Sequence, residues 1–340
     1  MGDGEFPPAF LRDIKERGQP LRSETQRSVR ALEIRLLQRI RDATLDREPI
    51  YWLDGVHNDF APFVAQFQAI DLHNGSISQL KDGSIYLNNL PDMVRMHAAY
   101  RTSHVLITGL NENWGAFSTL VPHRTVDWGD WQNHLADAGC TPQRVRQYLD
   151  DPAVKAVVTP HHTAFWHPTI LSIPVGISAG FMEVLLERPL ALDDLIRAEH
   201  GRTQELLINN SGWQHRKQVN DCVIANFGGR ISNTFRTSAA EFFESVTRSR
   251  FVLCPSGLGW DTSRLWETLM LGSIPIVEYS EGWHTVLDDL PVLFVTNFEE
   301  VTPALLATAY PDILSQCERF DYGKLTKQWW VSRITKLLDA

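Results

Sequence analysis

Residues 248–278 read RSRFVLCPSGLGWDTSRLWETLMLGSIPIVE, and the order of their apolar, glycine and polar positions decides the predicted fold. The apolar run at 251–254 predicts a buried strand, and the loop that follows contains a proline and two glycines. Helix-capping residue types at 261–263 then precede apolar residues at helical spacing, and Gly272 ends that helix. Since residues 273–277 predict a second buried strand, the stretch forms a parallel βαβ unit.

A ligand site is expected beyond the carboxyl end of the first of these strands. There the N–H groups at the start of the helix attract an anion, glycines let a phosphate come close, and serine hydroxyls add hydrogen bonds. Arg264 adds a positive charge, and Glu267 is placed to accept hydrogen bonds from a ribose diol. The same residues also fit a tight turn in an α/β core, with Arg264 and Glu267 as a solvated pair. The candidate residues are Ser256, Gly257, Gly259, Ser263, Arg264 and Glu267.

The same stretch resembles the donor-site motif of the exostosin-like (family 47) glycosyltransferases, in which F-x-L-x-P-x-G precedes S-x-R-x-x-E and then G-x-I-P-[IV]. All three elements occur in this order within residues 251–277. The resemblance implies the GT-B fold, an α/β architecture of two Rossmann-like domains that face each other across a cleft. It also implies an inverting transfer of a sugar from a nucleotide diphosphate, with Ser263 and Arg264 facing the diphosphate and Glu267 facing the ribose.

Features further upstream resemble the same family more loosely. A strand ending I-T-G at 107–109, His167-Pro168 and I-P-V-G at 173–176 occur in the order found in the amino-terminal half of bacterial and algal relatives of the exostosins. In those relatives a small polar loop, followed by an arginine on the next helix, faces the donor. The resemblance therefore implies donor-binding roles for Ser211 and Arg216, while a solvated surface charge is the alternative for Arg216.

The bulk composition is that of a globular protein of two domains. The chain has 340 residues, of which 43% are hydrophobic and 21% charged, and this is typical of neither disordered nor membrane-spanning proteins. A formal net charge of −9 argues against nucleic acid as a partner. Because a nucleotide sugar is also anionic, its site needs a local positive patch, for which Arg216, Lys217 and Arg264 are available.

Cysteine usage and the amino terminus indicate the compartment. The cysteines at 140, 222, 254 and 317 are far apart and form no CxxC pair, which indicates a reducing environment. The amino terminus has no apolar signal region, and no stretch reaches the roughly 18 apolar residues of a membrane span. We therefore expect a cytoplasmic protein without a transmembrane segment.

The pattern of elements divides the chain into four segments. They are a helical amino-terminal segment at 1–48, a Rossmann-like acceptor domain at 49–177, linker helices at 178–202, and a Rossmann-like donor domain with a terminal helix at 203–340. Strands are expected at 49–53, 84–87, 104–109, 153–159, 203–209 and 294–296. Helices are expected at 93–100, 238–247 and 324–338, and another through Phe63, Phe67 and Ile70.

Donor binding in this reading needs no metal and no cofactor. Arg216, Arg264 and a helix amino terminus neutralise a diphosphate, and the chain has no DxD-type pair in a convincing place. The histidines at 161, 162 and 167 have no glutamate between them, which favours a cleft-lining loop over a zinc site. A UDP-sugar is the favoured donor, and a glycan or another hydroxyl compound is the acceptor.

The catalytic base is expected from the first domain, across the cleft. Polar loops follow its first and third strands, and parallel strands present such loops at one edge of a sheet. Glu112 is the first candidate because I-T-G immediately precedes its loop, and Asp54, His57 and Asp59 are alternatives. Each of these side chains also fits a loop-capping role.

Two other functions remain open at this stage. One is a nucleotide-sugar 2-epimerase of the same fold, which would form an epimer from a UDP-sugar without any acceptor. The other is a noncatalytic nucleotide- or carbohydrate-binding protein that keeps the pocket and lacks the base.

Overall fold

The computed structural model describes residues 24–50, 70–72, 81–87, 90–107, 141–160, 167–199, 201–211, 215–235, 237–257, 261–279 and 281–338. Up to residue 199, the elements in chain order are α1 (Glu24–Thr44), β1 (Ile70–Asp71), β2 (Ser84–Leu87), α2 (Leu90–Ala99), β3 (His104–Ile107), α3 (Pro142–Leu149), β4 (Val154–Pro160), β5 (Ile170–Ile173), α4 (Ala179–Glu187) and α5 (Ala191–Arg197). These elements contain the first of two sheets.

The second sheet lies in the remaining elements. They are β6 (Gln204–Leu207), α6 (Arg216–Asn226), α7 (Ala239–Arg248), β7 (Ser249–Leu253), α8 (Ser263–Met270), β8 (Ile274–Glu278), α9 (Glu281–Leu287), β9 (Leu293–Val295), α10 (Pro303–Ser315) and α11 (Lys327–Leu338). Short 3-10 turns cover Phe298–Glu300, Cys317–Arg319 and Tyr322–Leu325.

The first sheet has strand order β1-β2-β3-β4-β5, and every neighbouring pair is parallel. Its central strands are buried on both faces, as an apolar run in a parallel sheet predicts. On one face Leu106 and Val157 pack with side chains of α2 and α3. On the other face Val105 and Val158 belong to the large core that also contains the second sheet.

The second sheet has strand order β6-β7-β8-β9 and is also parallel throughout. Phe251 aligns with Ile274 across β7 and β8, and α8 connects these two strands, so the predicted βαβ unit is confirmed. The α/β fold class with two parallel sheets is confirmed as well. At the end of α8, Gly272 has a φ of +71° and lies so close to α1 that an added Cβ would be 2.7 Å from the Leu37 side chain. Only glycine fits this position.

The amino-terminal helix α1 packs on the layer that covers the second sheet. Leu36, Leu37 and Ile40 of this helix are buried. Glu33 is also buried, and its carboxylate accepts a hydrogen bond of 2.6 Å from the Tyr310 hydroxyl on α10. The proposed division of the chain into segments remains a prediction, but α1 shares its core with α10.

Several predictions about single elements need correction. Ile70 lies in the short strand β1 and not at the end of a helix, because it pairs with Tyr86 of β2. The strand β5 and the helices α9 and α10 were not predicted. The expected terminal helix starts at Lys327, after a 3-10 turn. This helix, α11, packs against β4, so the last described helix returns to the first sheet.

Candidate functional site

The candidate residues meet where β6 and β7 end. Asn209, Asn210 and Ser211 follow β6, and the buried segment 254–257 follows β7. The first turns of α6 and α8 point to the same edge because each helix follows one of these strands. The carboxyl edge of a parallel sheet is where ligands bind in open α/β folds.

Arg216 is the first residue of α6 and crosses to the loop after β7. Its Nε donates to the backbone oxygen of Ser256 at 2.9 Å, and its Nη1 donates to Ser211 Oγ at 3.3 Å. A Cβ on Gly257 would lie 2.6 Å from Arg216 Nη2, so a glycine is required for this approach. Burial, with a smaller contribution from Arg264, lowers the pKa of Arg216 to about 10, and the side chain stays charged at neutral pH.

Arg264, in the first turn of α8, reaches the loop after β6. Its Nη1 donates to Asn210 Oδ1 at 2.9 Å, and its Nη2 donates to Asn209 Oδ1 at 3.4 Å. The guanidinium carbon also lies 5.3 Å from the centre of the Phe242 ring. Burial lowers the pKa of Arg264, and its Nε has no hydrogen-bond partner within the described ranges.

The two guanidiniums form a positive site that makes no hydrogen bond to a described carboxylate. Among the described residues, every oxygen that accepts from Arg216 or Arg264 is a backbone carbonyl, a hydroxyl or an amide, and the nearby Glu267 carboxylate interacts with Arg264 through its charge alone. Each guanidinium donates two of these bonds, which leaves N–H groups on both for a ligand. Because two like charges repel, an anion bound between them would relieve an unfavourable interaction.

Two serines and the start of α8 complete this edge. Ser256 Oγ lies 3.2 Å from His215 Nε2, and His215 immediately precedes α6. Ser263 is the first residue of α8 and is half-buried. Thr262 occupies the N-cap position, as its residue type predicts, but its side chain makes no capping hydrogen bond. The first N–H groups of α8 therefore receive no bond from this cap.

Asp261 does not cap α8, which corrects the prediction of three successive capping residues. It is buried, and its carboxylate accepts from Trp266 Nε1 at 2.8 Å and from the backbone N–H of Val175. Val175 lies in the predicted I-P-V-G segment, just after β5. Burial raises the pKa of Asp261 to about 7, while the donated hydrogen bonds act in the opposite direction.

Glu267 also binds the segment that follows β5. Its Oε1 accepts from the Ser178 backbone N–H at 3.0 Å and from Ser178 Oγ at 2.6 Å. The side chain is buried, and burial raises its pKa. The alternative in which Arg264 and Glu267 form a solvated pair is therefore wrong, because each has other partners. A contact of Glu267 with ribose remains a prediction.

Several candidates lie outside the described residues, and their roles remain predictions. They are Gly259, Glu112, Asp54, His57 and Asp59, together with two histidines of the cluster, His161 and His162. The third, His167, is described, and its Nε2 lies 3.1 Å from Asp150 Oδ1. Across the described ranges, no group of histidine, cysteine, aspartate and glutamate side chains is arranged to hold a metal ion.

Four residues at this edge were not predicted as site residues: Asn209, Asn210, His215 and Asp261. The signal for the first two is a run of polar residues directly after a predicted strand, which in a parallel sheet marks the ligand edge. His215 has a weaker signal, namely its place before the helix that carries Arg216. The contacts of Asp261 have no local signal because Val175 is far away in the chain.

Part of the carboxyl-terminal half of the chain matches a known protein family. Residues 204–311 match the family model "RXYLT1 C-terminal domain", an exostosin-like xylosyltransferase. The match spans less than half of the chain, from β6 into α10, and includes every described candidate residue of the donor site. The resemblance to the exostosin-like glycosyltransferases is thereby confirmed.

Several solved structures align with most of the chain at TM-scores below 0.4. Anabaena Alr3699/HepE in complex with UDP and glucose is 11% identical, with a TM-score of 0.36 over 73% of this chain and 78% of that one. AviGT4, a glycosyltransferase involved in avilamycin A biosynthesis, is 10% identical, with a TM-score of 0.33 over 74% and 88%. Medicago truncatula UGT71G1 complexed with UDP-glucose is 12% identical, with a TM-score of 0.28 over 82% and 78%. No curated protein sequence matches the chain.

The sequence predicts that the chain has no transmembrane segment. Within the described ranges, no helix combines the length and apolar character needed to span a bilayer. The cytoplasmic location remains a prediction.

Proposed function

We propose that the protein is a glycosyltransferase that binds a nucleotide-diphosphate sugar at the edge formed by β6, β7, α6 and α8. The observation that carries this proposal is the pair Arg216 and Arg264, whose charges repel each other and whose hydrogen-bond acceptors among the described residues are all neutral oxygens. The family match over residues 204–311 supports the same class of protein.

In this proposal the diphosphate lies between the two guanidiniums and the first turn of α8. Both arginines stabilise the negative charge that develops on the leaving diphosphate, so transfer requires no metal and no cofactor. The approach of Arg216 to Gly257 brings the backbone of this loop to the phosphates, and the hydroxyls of Ser211, Ser256 and Ser263 add hydrogen bonds. The proposed donor is a UDP-sugar.

The ribose would bind beside Glu267. Both hydrogen bonds from Ser178 go to Oε1, so Oε2 is the oxygen that would accept from the diol. In an inverting reaction a base removes the proton of the acceptor hydroxyl as the sugar is transferred. Glu112 is the proposed base, with Asp54, His57 and Asp59 as alternatives, and the acceptor is a glycan or another hydroxyl compound.

Binding of nucleotides tests this proposal most directly. We expect UDP, or a UDP-sugar, to raise the melting temperature of the wild-type protein, and Arg264→Ala and Arg216→Ala each to weaken UDP binding at least ~10-fold and to reduce the shift accordingly. Lys217→Ala is the matched control: Lys217 is the neighbour of Arg216 and has the same charge, but it is exposed and pairs with Asp221. If no nucleotide stabilises the wild type, or if Lys217→Ala lowers the shift as much as Arg216→Ala, the site assignment is wrong.

Product analysis then distinguishes the reactions. Transfer requires an added acceptor, whereas a 2-epimerase forms an epimer from the UDP-sugar alone. Binding without turnover over a panel of acceptors indicates a noncatalytic binding protein.

A further inference from the structure

We propose that Asn209 and Asn210 are positioning residues of the donor site, which orient Arg264 through neutral oxygens and thereby keep its charge available to the ligand. This inference rests on the proposed function, because it explains how the same site attracts a diphosphate.

The orientation of both amides follows from their hydrogen bonds. Asn210 is fully buried, and its Nδ2 donates to the Leu253 backbone oxygen at 3.2 Å and to Asn220 Oδ1 at 3.3 Å. Asn209 Nδ2 donates to the Thr234 backbone oxygen at 3.1 Å and to Thr237 Oγ1 at 2.9 Å. With both nitrogens occupied in this way, the two amide oxygens face Arg264.

The backbone beneath these amides is also fixed. Asn233 Oδ1 accepts from the Asn210 N–H at 3.0 Å, and Asn233 Nδ2 donates to the Asn210 backbone oxygen at 2.7 Å. A parallel bridge between Ile208 and Asn233 holds the same two segments together. The backbone that carries these amides is therefore held by Asn233 and does not depend on Arg264.

The choice of amides over carboxylates decides the charge of the site. An aspartate at either position would form an ion pair with Arg264 and would compete with the phosphates of a ligand. An amide oxygen accepts a bond of similar geometry and leaves the guanidinium charge in place. Since a half-buried arginine without a carboxylate partner is costly, the arrangement favours anion binding over stability of the empty protein.

The first test is Asn209→Asp, which keeps the shape of the side chain and adds a charge. The Thr237 hydroxyl lies 2.9 Å from Nδ2 and can donate to the new carboxylate oxygen. The Thr234 hydroxyl already donates to the Ile208 backbone oxygen, and the bond from Nδ2 to the Thr234 backbone oxygen is lost. We expect the Kd for UDP to rise about 10-fold or more, because the new charge pairs with Arg264. The lost bond to the Thr234 backbone oxygen also lowers the melting temperature without ligand, so the Arg264→Ala background, rather than stability, distinguishes this role from a merely structural one.

Asn297→Asp is the matched control for added charge. Asn297 is the N-cap of the 3-10 turn Phe298–Glu300, where aspartate caps equally well, and it lies outside the site. This variant is expected to bind UDP as the wild type does. An equal affinity of Asn209→Asp and wild type for UDP would overturn the inference.

A second test holds even if Asn209→Asp does not fold. Asn209→Ala removes a partner of Arg264 without adding a charge and should raise the Kd for UDP about 3-fold or more. In an Arg264→Ala background the same substitution should have no further effect, because Asn209 acts through Arg264. Additive effects in the two backgrounds would refute the inference. Failure of the wild type to bind any nucleotide refutes the proposed function instead. In that case the Kd values of wild type, Asn209→Asp and Asn209→Ala for inorganic pyrophosphate test whether the amide affects anion binding.

Discussion

Asp261→Asn is expected to remove a large part of the pH dependence of stability. Asp261 is 3% exposed, and burial raises the pKa of its carboxyl from the model-compound value of 3.8 to about 7. The folded protein therefore holds a proton on this group at pH values where the unfolded chain has released it. Stability from this group is fully present below about pH 4 and is lost as the pH rises towards 7.

The magnitude follows from the size of the shift. A difference of about three pH units, at about 1.4 kcal/mol for each, corresponds to about 4 kcal/mol over the full range. Roughly 2.5 kcal/mol of this falls between pH 5 and pH 8. Asparagine resembles the protonated carboxyl and does not titrate, so Asp261→Asn should gain stability relative to the wild type by that amount over this interval.

Urea unfolding of both proteins at several pH values measures this difference. Asp221→Asn is the matched control, because Asp221 is exposed and its only described partner is Lys217. The control should follow the wild-type profile closely. Parallel profiles of Asp261→Asn and wild type would refute the reasoning. A relative loss of stability in the variant as the pH rises would show that the donors Val175 and Trp266 outweigh burial.

Other substitutions test separate contacts. Gly257→Ala should displace Arg216, since the new Cβ would lie 2.6 Å from its Nη2, and should weaken UDP binding about 10-fold in a titration. Arg202→Met should cost about 3 kcal/mol in urea unfolding, because the buried guanidinium donates to the backbone oxygens of residues 246, 247, 249 and 271. Ser178→Ala removes the hydroxyl bond to Glu267 and the cap of α4, and should cost about 1–2 kcal/mol by the same assay. Glu112→Gln should keep UDP binding in a thermal-shift assay and lose transfer in a product assay, whereas retained transfer would point to the alternative bases.

The parts of the fold that could be predicted from the sequence depend on local pattern. The strands β7 and β8 contain apolar runs, with Gly257 after the first and Gly272 before the second, and α8 has its apolar residues at helical spacing, so residues 251–277 suffice for this unit. Short elements were harder to predict. The two-residue strand β1 is defined by its pairing with β2, and a local pattern does not contain that partner. Strand β5 has the sequence ILSI, in which apolar and polar residues do not alternate, so it shows no strand pattern of its own.

In the candidate site, too, local pattern predicts some residues and does not predict their distant contacts. Arg216 and Arg264 could be proposed from motif spacing, but their neutral partners could not, because an arginine in a sequence does not show whether it faces an amide or a carboxylate. Asp261, just before α8, and Glu267, within it, show the same limit of sequence-based prediction. Asp261 and Glu267 look like a cap and a solvated partner for Arg264, yet both bind the segment that leaves the first sheet. Since the carboxylates of both acids accept hydrogen bonds from Val175 or Ser178, neither forms a hydrogen bond with Arg264, and this property of the site arises only when the two halves of the chain pack together.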